Sequence, residues 1–145
     1  MKRLAKLILA TGLLSTMMAC ETSDSPTFPD AATEDPTGSW ALASFEPAGG
    51  AVFPIDDPSR YTLDLGINET GRANVRADCN VCGSDYEVSG SAMSFGLMAC
   101  TLVACPPGSL ERDYLEALGS TSLFHRAGSS LTLGYGGGMM RFEAR

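Results

Sequence analysis

Five cysteines are the residues of this sequence with the clearest capacity for chemistry. Cys20 stands alone. The others form two clusters, Cys79-Asn80-Val81-Cys82 and Cys100-Thr101-Leu102-Val103-Ala104-Cys105. Four thiolates at such spacings can hold zinc in a closed tetrahedral site. They can equally oxidise to two disulfides, for which three pairings exist. A Cys-x-x-Cys pair can also exchange disulfides if a helix N-terminus follows its first thiol, but Cys79 to Gly83 reads as a turn between strands. No other chemistry converges as well. His125 is the only histidine and reads as a surface residue at a strand end. No Ser–His–Asp order is convincing. Asp56-Asp57 reads as solvated loop, because calcium wants more oxygen ligands at defined spacing. Arg76 and Asp78 would point to catalysis only if they lined a common cleft. The expectation is no catalytic residue, no metal and no cofactor.

Which sulfur chemistry applies depends on the compartment. Met1 to Cys20 reads MKRLAKLILATGLLSTMMAC, a basic start followed by an apolar run from Leu7 to Ala19. That run is shorter than the roughly 20 residues a membrane-spanning helix needs, and it fits an export signal over residues 1–19. It ends in Met17-Met18-Ala19-Cys20, which resembles a bacterial lipobox. The resemblance implies a lipidated Cys20 at the mature N-terminus, with fatty-acid (palmitate-type) anchoring. Each buried methylene of such chains contributes about 0.8 kcal/mol to membrane attachment. Glu21 after the cysteine implies an outer-membrane lipoprotein facing the periplasm. Disulfides persist outside the cytoplasm, so oxidation is favoured over zinc. If the two clusters approach antiparallel, the bonds nest, Cys79 with Cys105 outside and Cys82 with Cys100 inside.

The elements that must position these residues lie beyond the leader. Residues 20–36 form an acidic, Pro-containing tether, too polar to bury a core. Without Lys2, Arg3 and Lys6 the chain keeps seven arginines against 17 acidic residues, a net charge of −10. Such a surface repels nucleic acids and anionic membranes. The domain is expected over 37–145. Strands are expected at 40–45, 60–66, 73–77, 85–88, 92–95, 122–126, 130–133 and around Met140 and Phe142, mostly from period-2 alternation. Residues 47–59 read as a long Pro-rich loop. Asn80 reads as a turn residue bonding nearby backbone, and Trp40 and Phe142 as core. Leu110, Tyr114, Leu115 and Leu118 form a helical stripe, with Ser109 as N-cap and Gly119 left-handed beyond the end. The fold class is α+β: a small curved antiparallel sheet or barrel-like structure of about eight short strands, one helix packed on it.

Residues 37–145 also resemble the META domain, the HslJ-like group of bacterial heat-shock and surface lipoproteins. The matching pieces are Gly38-Ser39-Trp40-Ala41-Leu42, Tyr61-Thr62-Leu63, Cys79-Asn80 with Gly83, and Met93-Ser94-Phe95. Thr101-Leu102-Val103-Ala104-Cys105-Pro106, the helix through Leu115 and Leu118, Leu131-Thr132-Leu133 and Arg141-Phe142 complete them. Cys79 and Cys105 match that family's cysteine pair, whereas Cys82 and Cys100 depart from it. The resemblance implies a small antiparallel β structure with a helix, links to stress tolerance and envelope integrity, and no catalytic residues. The function expected is that of a non-enzymatic envelope lipoprotein. It would be held to the membrane by lipid, bind an unidentified envelope protein and have no nucleic-acid partner. Two other readings stay open: a small apolar-ligand-binding module, and a hydrolase inhibitor acting through loop 47–59.

Overall fold

The computed structural model of the chain describes residues 34–67 and 69–145. The expected export signal 1–19, the expected lipidation site Cys20 and the expected tether as far as residue 33 lie outside them. Strands β1 (Gly38–Glu46), β2 (Phe53–Pro54), β3 (Tyr61–Leu65), β4 (Arg72–Ala77), β5 (Asn80–Ser89), β6 (Ala92–Phe95) and β7 (Ala99–Cys100) come first. Helix α1 (Glu111–Gly119) follows, then β8 (Thr121–Ala127), β9 (Ser130–Tyr135) and β10 (Gly138–Ala144). The pairing order β1-β3-β4-β5-β6-β8-β9-β10 returns to β1, so an eight-stranded antiparallel barrel closes on itself. The described residues are mostly β with one α-helix, and closure removes the sheet edges that an open curved sheet would expose.

Alternation explains which side chains fill the barrel. In β4, Ala73, Val75 and Ala77 point inward and Arg72, Asn74 and Arg76 outward. Strand β1 breaks the period at Ala43, where its register against β10 shifts. The bulge re-aims the strand, so Trp40, Leu42 and Phe45 are all buried despite their unequal spacing. A second shift in β8 buries both Thr121 and Phe124 and leaves Leu123 outside. The expected loop 47–59 is partly structured: β2 pairs with β1, the Ile55 N–H donates to the Ala43 carbonyl at 2.9 Å, and a 3-10 turn covers Pro58–Arg60.

Helix α1 lies across the end where β1, β4 and β9 finish and β3, β5, β8 and β10 begin. Its buried face is Tyr114, Ala117 and Leu118. The Tyr114 ring packs edge-on to Tyr61 at 5.6 Å and lies 6.3 Å from Phe142. Two capping expectations change. The N-cap position is Leu110, whose N–H donates to the Tyr61 hydroxyl, while the Ser109 hydroxyl accepts from the Glu111 N–H at 3.1 Å. At the other end Gly119 is the last helical residue and not left-handed. Ser120 donates its N–H and its hydroxyl to the Glu116 carbonyl, and the Thr121 hydroxyl donates to Ala117. These hydroxyls satisfy the last carbonyls, so no left-handed cap is needed.

The opposite end is closed by Trp40. Its indole N–H donates to the Pro36 carbonyl at 3.0 Å, and the Arg126 guanidinium lies 5.2 Å from the ring centre. Arg126 also donates to the carbonyls of Asp35, Thr37 and Gly128 and sits 3.6 Å from the Glu34 carboxylate. Glu34 to Pro36, read as the end of a tether, are thus docked on the barrel by backbone acceptors that side-chain polarity does not reveal.

Among the described residues, the Tyr114 hydroxyl is the one buried side-chain polar atom with no hydrogen-bond partner. Burial, aided by the Asp64 charge, pushes its pKa far above the usual phenol value. Tyr114→Phe removes that unsatisfied group and leaves the ring contacts in place. It is expected to raise stability by about 1 kcal/mol or leave it unchanged, read as a urea midpoint. A loss of about 2 kcal/mol or more would show that the hydroxyl is satisfied in solution.

Candidate functional site

The four domain cysteines meet at the helix-capped end, around the two-residue turn Asp78-Cys79 that joins β4 to β5. Asp78 has φ +57°, the left-handed region that Asp and Asn tolerate better than most side chains. Its carboxylate is buried and accepts two bonds from Arg60, at 2.7 Å from Nε and 2.5 Å from Nη2. Burial by itself would raise the pKa of this carboxyl. The Ser109 hydroxyl and the Arg60 guanidinium outweigh it and hold the group below the usual carboxylate value.

Asn80 follows as the first residue of β5, rather than as part of a turn. Only 2% of it is exposed. Its amide makes four well-placed bonds. The NH2 group donates to the Val103 carbonyl at 2.9 Å and to the Glu111 carboxylate at 3.0 Å. The amide oxygen accepts from the Val103 N–H at 2.8 Å and from the Thr101 hydroxyl at 2.9 Å. These partners are 21 to 31 residues away, not the neighbouring backbone the sequence suggests. One side chain thus pairs with both backbone groups of Val103, as an adjacent strand would, and ties the loop to the start of α1.

Disulfides bracket this clamp. Cys79 pairs with Cys105, and Cys82 with Cys100. Cys82 and Cys100 are directly opposed residues of β5 and β7. The sulfurs a zinc site would use are therefore bonded to one another. Beyond β7, the Thr101 N–H donates to the Val81 carbonyl and the Val81 N–H to the Thr101 hydroxyl. The result is a strip along the outside of β5, held by two covalent links and by hydrogen bonds on both sides of them.

What the strip presents is apolar. Leu97 is 99% exposed and Leu102 97%, with Val103 and Val81 also outside. From Val88 to Leu110 the sequence has no charged residue. That run is the sequence signal for this surface, although nothing in it distinguishes exposed leucines from core ones.

The ionisable residues considered for catalysis are not brought together. Arg76 reaches the Asp78 backbone carbonyl at 3.3 Å, while the Asp78 carboxylate belongs to Arg60. Asp57 caps the 3-10 turn by accepting from the Ser59 N–H and hydroxyl. His125 is half-buried in β8, opposite Thr132. Among the described residues no three His, Cys, Asp or Glu side chains are placed to hold a metal ion, and no helix is long and apolar enough to cross a membrane.

Two measurements check this site. Protein isolated without reductant is expected to yield peptides linked 79–105 and 82–100; four free thiols or bound zinc in the mass spectrum would overturn the pairing. The outer bond, joining residues 26 apart, is expected to contribute about 3 kcal/mol in the chain-entropy view. Separately, Asp78→Asn keeps the tolerance for positive φ and removes the charge. It should cost about 1–3 kcal/mol at neutral pH. The folded pKa is depressed, so the ion pair's stabilisation is complete above the unfolded value, about 4, and is lost as pH falls through the folded one. The gap between variant and native chain should close in acid; a gap unchanged down to about pH 2 would exclude the carboxylate as its source.

Comparison with known proteins agrees with this architecture. An NMR structure of a protein from Burkholderia xenovorans is similar, with TM-score 0.61 and 25% identity, covering 83% of this chain and 98% of that one. A crystal structure of a duf4847 family protein from Bacteroides vulgatus has the same fold at TM-score 0.54 and 11% identity, covering 75% of this chain and 93% of that one. No curated protein matches the sequence. Residues 32–145 match the META domain, and the chain belongs to that family.

Proposed function

We propose that this member of the META domain family is a non-enzymatic, lipid-anchored protein of the bacterial envelope. It supports stress tolerance or envelope integrity by binding another envelope component. The observation that carries the reading is the pinned, charge-free strip with Leu97 and Leu102 almost fully exposed. Burying a leucine is worth about 1.5–3 kcal/mol, and a loop already fixed by two disulfides loses little further freedom on binding. On a domain of strong negative charge, this stretch can meet an apolar partner without electrostatic cost.

The interior favours contact through the outer surface over an enclosed apolar ligand. Trp40, Leu42, Phe124, Phe142 and Tyr114 fill the barrel between its two closed ends. Loop 47–59 gives less support to hydrolase inhibition, since Phe53 to Ile55 pack along β1 rather than project. Anchoring rests on Met17-Met18-Ala19-Cys20, and outer-membrane placement on Glu21.

The test combines location and contact. Cys20→Ala is expected to shift the protein out of the membrane fraction. The double variant L97D/L102D alters only exposed side chains, so it should fold and remain oxidised. It is expected to lose a crosslink formed in intact cells from a photoreactive residue at position 103, and to be as stress-sensitive as a deletion. Full stress tolerance with L97D/L102D, where the deletion is sensitive, would sink the proposal.

A further inference from the structure

A second surface feature lies away from the pinned strip, between α1 and the ends of β1 and β9. It is a groove of about 320 Å³. Its apolar side is aromatic: the Phe45 ring centre lies 5.8 Å from Phe53 and 5.7 Å from Tyr135. Tyr135 is held in place by donating its hydroxyl to the Glu46 carbonyl at 3.0 Å. Gly138 makes room for it, since a Cβ there would fall 2.6 Å from the Tyr135 ring. The facing side is acidic. Asp113 and Glu116 line it from α1. Arg112 stands 3.8 Å from Asp113 but is itself 89% exposed, so it neutralises Asp113 weakly.

The helix end adds to this field. The last turn of α1 faces the groove through Glu116 and Ala117, with Ser120 just beyond it, and contains no basic residue. A helix C-terminus carries partial negative charge and favours a cation. Burial, and to a smaller extent the charges of Asp113 and Glu46, push the Tyr135 phenol up to about 12. Aromatic faces attract cations as well as apolar groups. Rings, carboxylates and helix end therefore select one ligand chemistry, a positive group on an apolar stem.

We propose that this groove binds an amphiphilic cation, an alkylammonium or alkylguanidinium group whose stem lies on Phe53 and Tyr135, with the buried Phe45 ring behind them, and whose charge faces Asp113 and Glu116. The site is independent of the strip around Leu97 and Leu102. Such a group is supplied either by a free amine or guanidine or by a lysine or arginine side chain of a peptide.

The test uses the full chain in lipid nanodiscs, titrated with butylguanidinium and followed by NMR at the backbone amides of Ser120, Tyr135 and Gly136. A saturable shift is expected with the cation. Butanol and butanoate, of the same stem length, are expected to bind at least tenfold more weakly. The D113N/E116Q variant should weaken the cation several-fold while its spectrum shows a folded barrel, and Phe53→Ala should weaken it in parallel. A tighter response to acetyl-Leu-Arg-Leu-amide than to butylguanidinium supports the site with a peptide as source; an equal or weaker response supports it with a free guanidine or amine. Butanol binding as well as the cation, or an unchanged affinity in folded D113N/E116Q, would overturn it.

Discussion

The side-chain amide of Asn80 is the contact on which the helix-capped end of this barrel depends. An amide has two donors and two acceptor lone pairs, and here all four find partners although Asn80 itself is shielded from water. In such surroundings a satisfied network gains strength, and a partly satisfied one costs more than an apolar contact would. The network fixes the backbone of Val103 against β5 and the first turn of α1 against both. Strip, helix and barrel end are therefore joined through this one side chain.

The disulfides act on a different quantity. They restrict the unfolded chain by closing the loops between residues 79 and 105 and between 82 and 100. They do not by themselves choose the register of the intervening residues. Asn80, Thr101 and the pairing of β7 on β5 make that choice. Covalent and hydrogen-bonded restraints thus divide the work, and the outcome is a loop that keeps two leucines in water because its backbone has nowhere else to go.

Both barrel ends are closed by side chains, which leaves the outer surface as the face open to contact. Tyr114 fills one end from the helix; Trp40, under Arg126, fills the other. The second closure recruits Glu34 to Pro36 by their backbone and carboxylate groups. Glu34 to Pro36 are thus held at the barrel end opposite the pinned strip.

Local patterning in the sequence determined much of this. The alternation in Tyr61–Leu65 and Ala73–Ala77, the stripe of α1 and the inward Phe142 follow from periods that neighbouring residues impose. The nested cysteine order followed from an antiparallel approach that the sequence could only suppose. Tertiary structure alone decided the rest. Asn80 to Gly83 have turn-forming composition, yet they are strand because β4 and β7 pair with them. The bulge at Ala43, the Arg60–Asp78 pair and the ring closure of β1 on β10 each join residues far apart in the chain. Whether a leucine such as Leu102 faces water or core is set by what packs around it, and periodicity carries no record of contacts that form only when distant segments meet.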